Sequence, residues 1–131
     1  MKKTILSIVL ALGAITAAYA GSLTKSFSCT GGTPSGCGGA DYTPSRVYVG
    51  PSNYFVINSS HTITGSGSLV TIVNLFPSSS ESEGSVDYTF QTTTTATDSH
   101  TLVTGNSWLN FVVAGGAGPG SSVSGTATIN W

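Results

Sequence analysis

Charged side chains are scarce in this sequence. Asp, Glu, Lys and Arg together make up 7% of its 131 residues, against about 25% in a typical soluble domain. Four residues are basic, and Lys2 and Lys3 precede the first apolar run, which leaves Lys25 and Arg46 for the rest of the chain. Nucleic acid and anionic membrane surfaces are therefore disfavoured partners, because both are bound through clustered Lys and Arg. So little charge gives weak repulsion between copies, which favours self-association or export over a cytosolic enzyme.

Helical periodicity and catalytic motifs are missing as well. Beyond residue 20, no stretch keeps apolar residues at helical spacing over three turns. Asp98, Ser99 and His100 bring three residue types of a hydrolase triad together, but a triad is assembled in space, and neighbours on a strand point to opposite faces. We assign no catalytic residue, no metal site and no cofactor, and we predict that the protein is not an enzyme.

The first 20 residues have the pattern of a secretory signal peptide. Two lysines are followed by a mostly apolar run over residues 4–17 and by Ala18-Tyr19-Ala20, which has the small-x-small form of a cleavage site. The apolar run is shorter than the roughly 20 residues that cross a bilayer. We therefore expect residues 1–20 to be removed, and residues 21–131 to form one domain without a membrane span, secreted or on the cell surface.

Cysteine is limited to two residues, Cys29 and Cys37. In an exported protein, a pair this close in sequence usually forms a disulfide. Closing so short a loop stabilises the fold by roughly 2–3 kcal/mol on the loop-entropy model. A redox or metal pair is the alternative, but the spacing is not Cys-x-x-Cys and no His lies nearby in the sequence.

Alternation of apolar and polar residues is abundant, and it is clearest at the end of the chain. In Val123–Trp131, the apolar residues Val123, Ala127 and Ile129 share one parity, while Ser and Thr occupy the other. This pattern predicts a strand with one buried face, whose partners lie earlier in the chain. About nine such short strands, separated by turn signals, predict an all-β fold: a single antiparallel β-sandwich or jelly-roll-like domain.

Turn signals give more local expectations. Residues 29–45 and 115–122 are rich in Gly, Pro and Ser, which predicts loops. Ser59-Ser60 is expected to break a strand, and Asp98-Ser99 to turn the chain. Leu69–Phe76 is apolar on both parities apart from two residues, which predicts a central strand that is buried on both sides.

Aromatic residues are candidates for stacking against a ligand such as a sugar ring. Tyr42 falls in a predicted loop and is the best surface candidate, and Trp108 shares its parity with the polar Asn110. Tyr88 and Trp131 lie on apolar parities and are expected in the core.

Asn58-Ser59-Ser60 matches the acceptor pattern for N-glycosylation. Such tripeptides occur often by chance. Asn58 is a candidate only if the source organism glycosylates its exported proteins.

The leading functional hypothesis is a secreted structural or adhesive protein that self-associates into a cell-surface filament or layer. Its partners would be copies of itself or other cell-surface proteins. In size and in ending on an alternating strand, the chain resembles pilins of fimbriae that assemble by donor-strand exchange. The resemblance implies that residues 21–29 add as a strand to a neighbouring subunit. The chain departs from those pilins in its closely spaced cysteines and at Asn130, where they carry an aromatic residue.

The alternative, from a different class, is a secreted β-sandwich module that binds carbohydrate or another ligand. It is motivated by the sandwich pattern together with Tyr42 and Trp108 at the surface. A secreted enzyme is a third alternative.

Overall fold

The computed structural model describes residues 21–50, 54–77, 85–103 and 108–131. Within these ranges the chain forms nine strands and no helix, so the predicted all-β class is confirmed. The strands are β1 Ser22–Thr30, β2 Cys37–Tyr42, β3 Val47–Tyr48, β4 Tyr54–Thr64, β5 Gly67–Phe76, β6 Val86–Thr92, β7 Ala96–Val103, β8 Trp108–Ala117 and β9 Ser122–Asn130. The predicted signal peptide lies outside the described residues and stays a prediction.

The strands form two antiparallel sheets, which confirms the predicted sandwich. Sheet A has the order β1-β9-β4-β7, and sheet B has the order β2-β8-β5-β6, with the short β3 also paired to β8. Both sheets therefore have a central pair of strands, β9 and β4 in sheet A and β8 and β5 in sheet B. Among the described residues, no helix is long and apolar enough to cross a membrane.

The core lies between the sheets and follows from the alternation of side chains along each strand. Its buried apolar residues are Val49, Phe55, Ile57, Leu69, Val73, Leu75, Leu102, Leu109, Phe111, Val113, Ala117, Val123, Ala127 and Ile129. Tyr88 and Trp131 are partly buried and pack against this core. Gly125 also faces inward, where a Cβ atom would lie 2.8 Å from Leu69 Cδ1. A larger residue there would crowd a core that is packed to crystal-like density.

The closing strand β9 has partners from its own chain on both sides. It pairs with β1 from Ser22↔Asn130 to Thr30↔Ser122, and with β4 along its other edge. Gly21 and Trp131 are joined by two backbone hydrogen bonds, Gly21 N to Trp131 O at 3.0 Å and Trp131 N to Gly21 O at 3.1 Å. The pilin resemblance implied that residues 21–29 add to a neighbouring subunit. In this structure they pair with β9 of their own chain instead.

Three contacts tie β1 to β2 across the two sheets. The predicted disulfide between Cys29 and Cys37 is confirmed. Lys25 Nζ lies 3.2 Å from Asp41 Oδ1, and Asp41 Oδ2 accepts a hydrogen bond of 3.0 Å from the backbone N–H of Ser26. Because the Gly21–Trp131 pair bonds toward β9, the even-numbered Ser26 N–H points to the free edge of the sheet. Asp41 therefore blocks part of the edge at which another strand could add.

The expectation of a loop over residues 29–45 is wrong, because β2 lies inside it. Gly38, Gly39 and Ala40 carry no alternating apolar signal, and the strand exists because it pairs with β8. A Cβ at Gly39 would lie 2.9 Å from Cε2 of Phe27 in the facing sheet, so a larger residue there would require the Phe27 ring to shift.

The expected break at Ser59-Ser60 is also wrong. β4 runs without interruption from Tyr54 to Thr64, because it is paired on both sides, with β7 and with β9. The ladder hydrogen bonds outweigh the weak strand preference of the two serines. Ser59 is buried between the sheets and Ser60 is exposed.

Asp98-Ser99 lies within β7 and does not turn the chain. The turn falls at residues 93–95 instead, where the Thr92 hydroxyl donates to the Thr94 carbonyl at 3.0 Å and accepts from the Thr94 N–H at 3.3 Å. Threonine side chains can satisfy backbone groups in this way, which is why a threonine run can bend.

The structure also modifies the two remaining local expectations. β8 extends through Gly115 and Gly116 to Ala117, so only residues 118–121 connect it to β9. β5 is central, but its outward residues Val70, Ile72 and Asn74 are half-buried rather than buried. The outer face of sheet B is therefore partly open to solvent.

Candidate ligand-binding face

Tyr42 and Trp108, the two residues selected from the sequence, lie on the same surface, the outer face of sheet B. Tyr42 ends β2 rather than lying in a loop, pairs with Val112 of β8 and is 60% exposed. Trp108 begins β8 and is half-buried. Both point outward because the alternate β8 residues Leu109 and Phe111 fill the core. We call this surface the aromatic face.

Trp108 is flanked by two further rings. Tyr48 of β3 is 61% exposed, and its ring centroid lies 5.0 Å from that of Trp108, with the planes tilted by 57°. Phe76 of β5 pairs with Trp108 on the other side, and the Arg46 guanidinium lies 3.5 Å from the Phe76 ring centroid. A tilted aromatic pair and a cation–π contact each hold their rings in a defined orientation.

A row of polar side chains crosses the aromatic face beside these rings. Asn110 of β8, Asn74 of β5 and Asp87 of β6 lie directly opposite one another. Asn74 Nδ2 donates to Asp87 Oδ1 at 2.8 Å, whereas the buried Asn110 Oδ1 has no hydrogen-bond partner in the part of the chain that the structure describes. Hydrogen bonds from the side chains of Ser85 and Asn74 lower the pKa of Asp87, so this carboxylate stays ionised at neutral pH.

Sequence reasoning missed this polar row. The signal available was the single asparagine in each of two mostly apolar strands, Asn74 in β5 and Asn110 in β8. That the two asparagines and Asp87 stand side by side depends on the pairing register of three strands, which the sequence pattern does not give.

The aromatic face can hold an extended ligand. Tyr42 pairs with Val112 of β8, and Trp108 lies four residues earlier on the same strand. This separation corresponds to about 13 Å along a strand. The half-buried apolar residues Val112 and Ile72 lie level with Tyr42 on this face, and Asn110 lies between Val112 and Trp108 along β8. Aromatic rings pack against apolar C–H faces, while amide and carboxylate groups orient a ligand by hydrogen bonds. This combination suits a molecule with apolar faces and hydroxyl edges.

The outer face of sheet A has a different chemistry, dominated by small hydroxyl side chains. Cross-strand pairs hydrogen-bond to each other, as Thr24 and Thr128 do at 2.7 Å. Asn58 is exposed on this face, and its Oδ1 accepts a hydrogen bond of 2.9 Å from the Ser99 hydroxyl. Asn58 lies in the middle of β4 rather than in a loop, and its glycosylation stays a prediction.

The Asp98-Ser99-His100 sequence is divided between the two sides of β7. Asp98 and His100 face the interior, whereas Ser99 points to the outer face of sheet A. The serine is therefore on the opposite side of the sheet from the two residues that would activate it. Among the described residues, no group of three or more His, Cys, Asp or Glu side chains is arranged to hold a metal ion.

No protein-family model and no curated protein sequence matches the chain. Among solved structures, "Family 16 Carbohydrate Binding Module-2" aligns with a TM-score of 0.52 and 15% identity over 76% of this chain and 71% of that one. A Glycosylation Associate Protein complex from Streptococcus agalactiae gives a TM-score of 0.53 and 12% identity, over 86% of this chain but 26% of that one. At these identities the likeness shows the shared sandwich fold alone.

A structure of Bacillus endospore appendages, described as disulfide-linked pili, aligns over 85% of this chain and 86% of that one at 18% identity. Its TM-score is 0.33, which is too low to support an argument about either fold or assembly.

Proposed function

We propose that the chain is a secreted, non-enzymatic β-sandwich module that binds carbohydrate through the aromatic face. The observation that carries the proposal is the grouping of Tyr42, Tyr48 and Trp108 on one surface, beside the polar row of Asn74, Asn110 and Asp87. Sugar rings have apolar C–H faces and hydroxyl edges, which match these two sets of groups. The similarity of the fold to a carbohydrate-binding module supports the proposal.

Secretion rests on two observations. Residues 1–20 have the signal-peptide pattern, and the Cys29–Cys37 disulfide is of a kind that persists in oxidising compartments outside the cytosol.

The ligand class is a neutral, extended glycan. Among the described residues, the aromatic face has few charged groups, chiefly Arg46 and Asp87, so it has little to attract a polyanion. A platform of about 13 Å exceeds a single sugar ring. We therefore expect binding to change little with salt, since screening weakens charge–charge attraction and leaves stacking intact.

The test is a calorimetric titration of the purified protein with neutral oligosaccharides. Tyr42→Ala should weaken binding about tenfold, equivalent to about 1.4 kcal/mol. Tyr54→Ala is the matched control, because Tyr54 is also exposed, at 49%, but lies in sheet A. An equal loss in both variants, or none in Tyr42→Ala, would contradict the proposed face.

Trp108→Ala is a second variant, expected to weaken binding at least as much because it also removes the partner of the Tyr48 ring. Trp108 is half-buried, so the variant's thermal unfolding is measured in parallel. Loss of binding in a variant that unfolds like the wild type supports a contact with the ligand. If no glycan binds the wild-type protein, the proposed function is wrong.

Self-association into a cell-surface filament or layer is the second candidate. The observation that favours it is an exposed apolar pair on the outer face of sheet A, Tyr54 and Val103, which lie opposite each other. Val103 is 74% exposed, and exposed apolar patches commonly mark protein contacts. This form of assembly leaves β1 in place, whereas strand addition by residues 21–29 would require β1 to leave β9.

Light scattering over a wide concentration range, with electron microscopy of the same samples, tests the second candidate. Wild-type protein should form assemblies, and Val103→Ser should reduce them. Thr101→Ser, two residues earlier on the same face, is the control. A protein that stays monomeric at all concentrations, with no fibres, would exclude assembly through this pair.

A further inference from the structure

A cavity of about 160 Å³ lies at the side of the sandwich where the edge strands β6 and β7 face each other. Its lining comes from both sheets, with Ser59 and His61 of β4, Asp98 and His100 of β7, and Phe90 and Thr92 of β6. It lies at the edge of the fold and not on the aromatic face.

The polar lining follows from the alternation along β4 and β7. Ser59 and His61 continue the inward parity of Ile57, and Asp98 and His100 share the inward parity of Leu102. Apolar side chains thus fill the middle of the sandwich, while polar side chains occupy the same parity toward one end. The Phe90 and His100 rings, which both line the cavity, stack on each other at 3.9 Å with their planes 15° apart.

His61 and Asp98 place two polar atoms side by side in the lining of this cavity, and both accept hydrogen bonds when the His61 proton is on Nε2. His61 is 6% exposed, and its Nδ1 is buried without a hydrogen-bond partner. Asp98 Oδ2 lies 3.8 Å from that nitrogen, which is too far for a hydrogen bond between them. A donor placed between the two atoms can reach each at about 2.8–3.0 Å. An ionised carboxylate only accepts hydrogen bonds, so the group that fits here is a donor with at least two N–H or O–H bonds.

Charge selects among such donors. Asp98 is the one carboxylate among the described residues that line the cavity. The two basic residues beyond the signal-peptide pattern are engaged elsewhere, Lys25 with Asp41 and Arg46 over Phe76. A carboxylate in a partly enclosed site favours a cationic donor over a neutral one.

We propose that this cavity binds the primary ammonium group of a small polar ligand. The volume corresponds to about five waters at roughly 30 Å³ each and is well below the roughly 300–1,000 Å³ of sites for larger ligands. It therefore accommodates one sugar residue or one side chain. Two sources share this chemistry, an amino sugar and the side chain of a lysine from another protein. The ammonium lies between His61 Nδ1 and Asp98 Oδ2. Because His61 Nδ1 is buried as the structure stands, the Asp98 side chain, which is 45% exposed, turns outward to admit the ligand. The carbon skeleton of the ligand packs beside the Phe90–His100 stack.

The chain itself supplies a reporter for the test. His61 and His100 are its two histidines, and both line the cavity, so the imidazole C–H signals in an NMR spectrum report on this site. The probes are glucosamine and Nα-acetyl-lysine amide at matched neutral pH and ionic strength. Their controls are the same molecules acetylated on the primary amine, which removes the positive charge and keeps the carbon skeleton.

We expect at least one amine probe to shift both imidazole signals saturably, with its acetylated control at least tenfold weaker. Saturation by glucosamine alone identifies an amino sugar as the source, and saturation by the lysine amide alone identifies a protein side chain. Saturation by both shows that the ammonium group is sufficient. The proposal is overturned if neither amine shifts the signals, or if the acetylated forms bind equally well.

Asp98→Asn keeps the shape of the side chain and removes its charge, and should weaken binding of the amine at least tenfold. Ser99→Ala on the other side of β7 is the matched control and should bind as the wild type does. Unchanged binding in Asp98→Asn would overturn the proposal. This test is independent of glycan binding at the aromatic face, since Tyr42→Ala should leave the imidazole shifts unaffected.

Discussion

Asp41 bonds to two groups of the facing strand β1. Its carboxylate accepts from the Ser26 N–H and lies against the Lys25 ammonium. The hydrogen bond from Ser26 is the largest cause of a lowered pKa for Asp41, and Lys25 adds to it. The same residue therefore links the two sheets, occupies a donor on the edge of sheet A, and couples the stability of the fold to pH.

Acid should destabilise the protein partly through Asp41. Because the folded-state pKa is lowered, the unfolded chain takes up the proton first, near 3.8. The contribution of Asp41 to the free energy of unfolding is complete above that pH. It is lost as the pH falls through the lowered pKa of Asp41 in the folded protein. Asp87, whose pKa is also lowered, acts in the same direction.

We expect Asp41→Asn to be less stable than the wild type at neutral pH by about 1 kcal/mol, because a hydrogen bond to a charged group is weakened. Its melting temperature should then fall less steeply below about pH 4. Melting curves of both proteins from neutral pH to about pH 2 test this. Parallel curves across the whole range would show that Asp41 does not contribute to acid sensitivity.

At the scale of elements, the disulfide fixes β1 against β2. Cys29 and Cys37 are separated by eight positions, and cross-linking a loop of this length stabilises by roughly 2–3 kcal/mol in the loop-entropy model. The double variant Cys29→Ser with Cys37→Ser should lose about that much free energy of unfolding in urea. The control is wild-type protein in reductant, which should approach the variant. A loss below about 0.5 kcal/mol would mean that the sheets alone hold β1 in place.

Strands with strong alternation could be predicted from the sequence, and those defined by their partners could not. β6 and β9 lie where their parity places them. β2 could not be found, because Gly38 and Gly39 have no side chains to alternate. The aromatic candidates Tyr42 and Trp108 were visible as residue types, whereas the polar row and the His61–Asp98 pair depend on strand register and on contacts between strands far apart in sequence.

At the scale of the whole molecule, the two outer faces of the sandwich carry different kinds of side chain. Sheet B presents aromatic rings with amide and carboxylate groups, and sheet A presents mainly hydroxyls. Among the described strands, β1 and β7 form the edges of sheet A. Each carries charged or polar residues that point inward, Lys25 in β1 and Asp98 and His100 in β7. Inward-pointing charges on edge strands oppose the addition of further strands. Both edges of sheet A thus oppose the addition of a strand, while Tyr42 and Tyr48 of the aromatic face are exposed to solvent.

This closure can be tested with a labelled peptide of residues 21–29 in which Cys29 is replaced by serine. We expect no incorporation into the folded protein over days, because β1 would have to leave all its pairings with β9, together with Asp41 and the disulfide, and native domains open this far only rarely. Refolding the denatured protein in excess peptide is the positive control, since both strands then compete for β9. A scrambled peptide is the negative control. Incorporation into protein that was never unfolded would show that β1 exchanges readily, and would restore strand addition as the route to assembly.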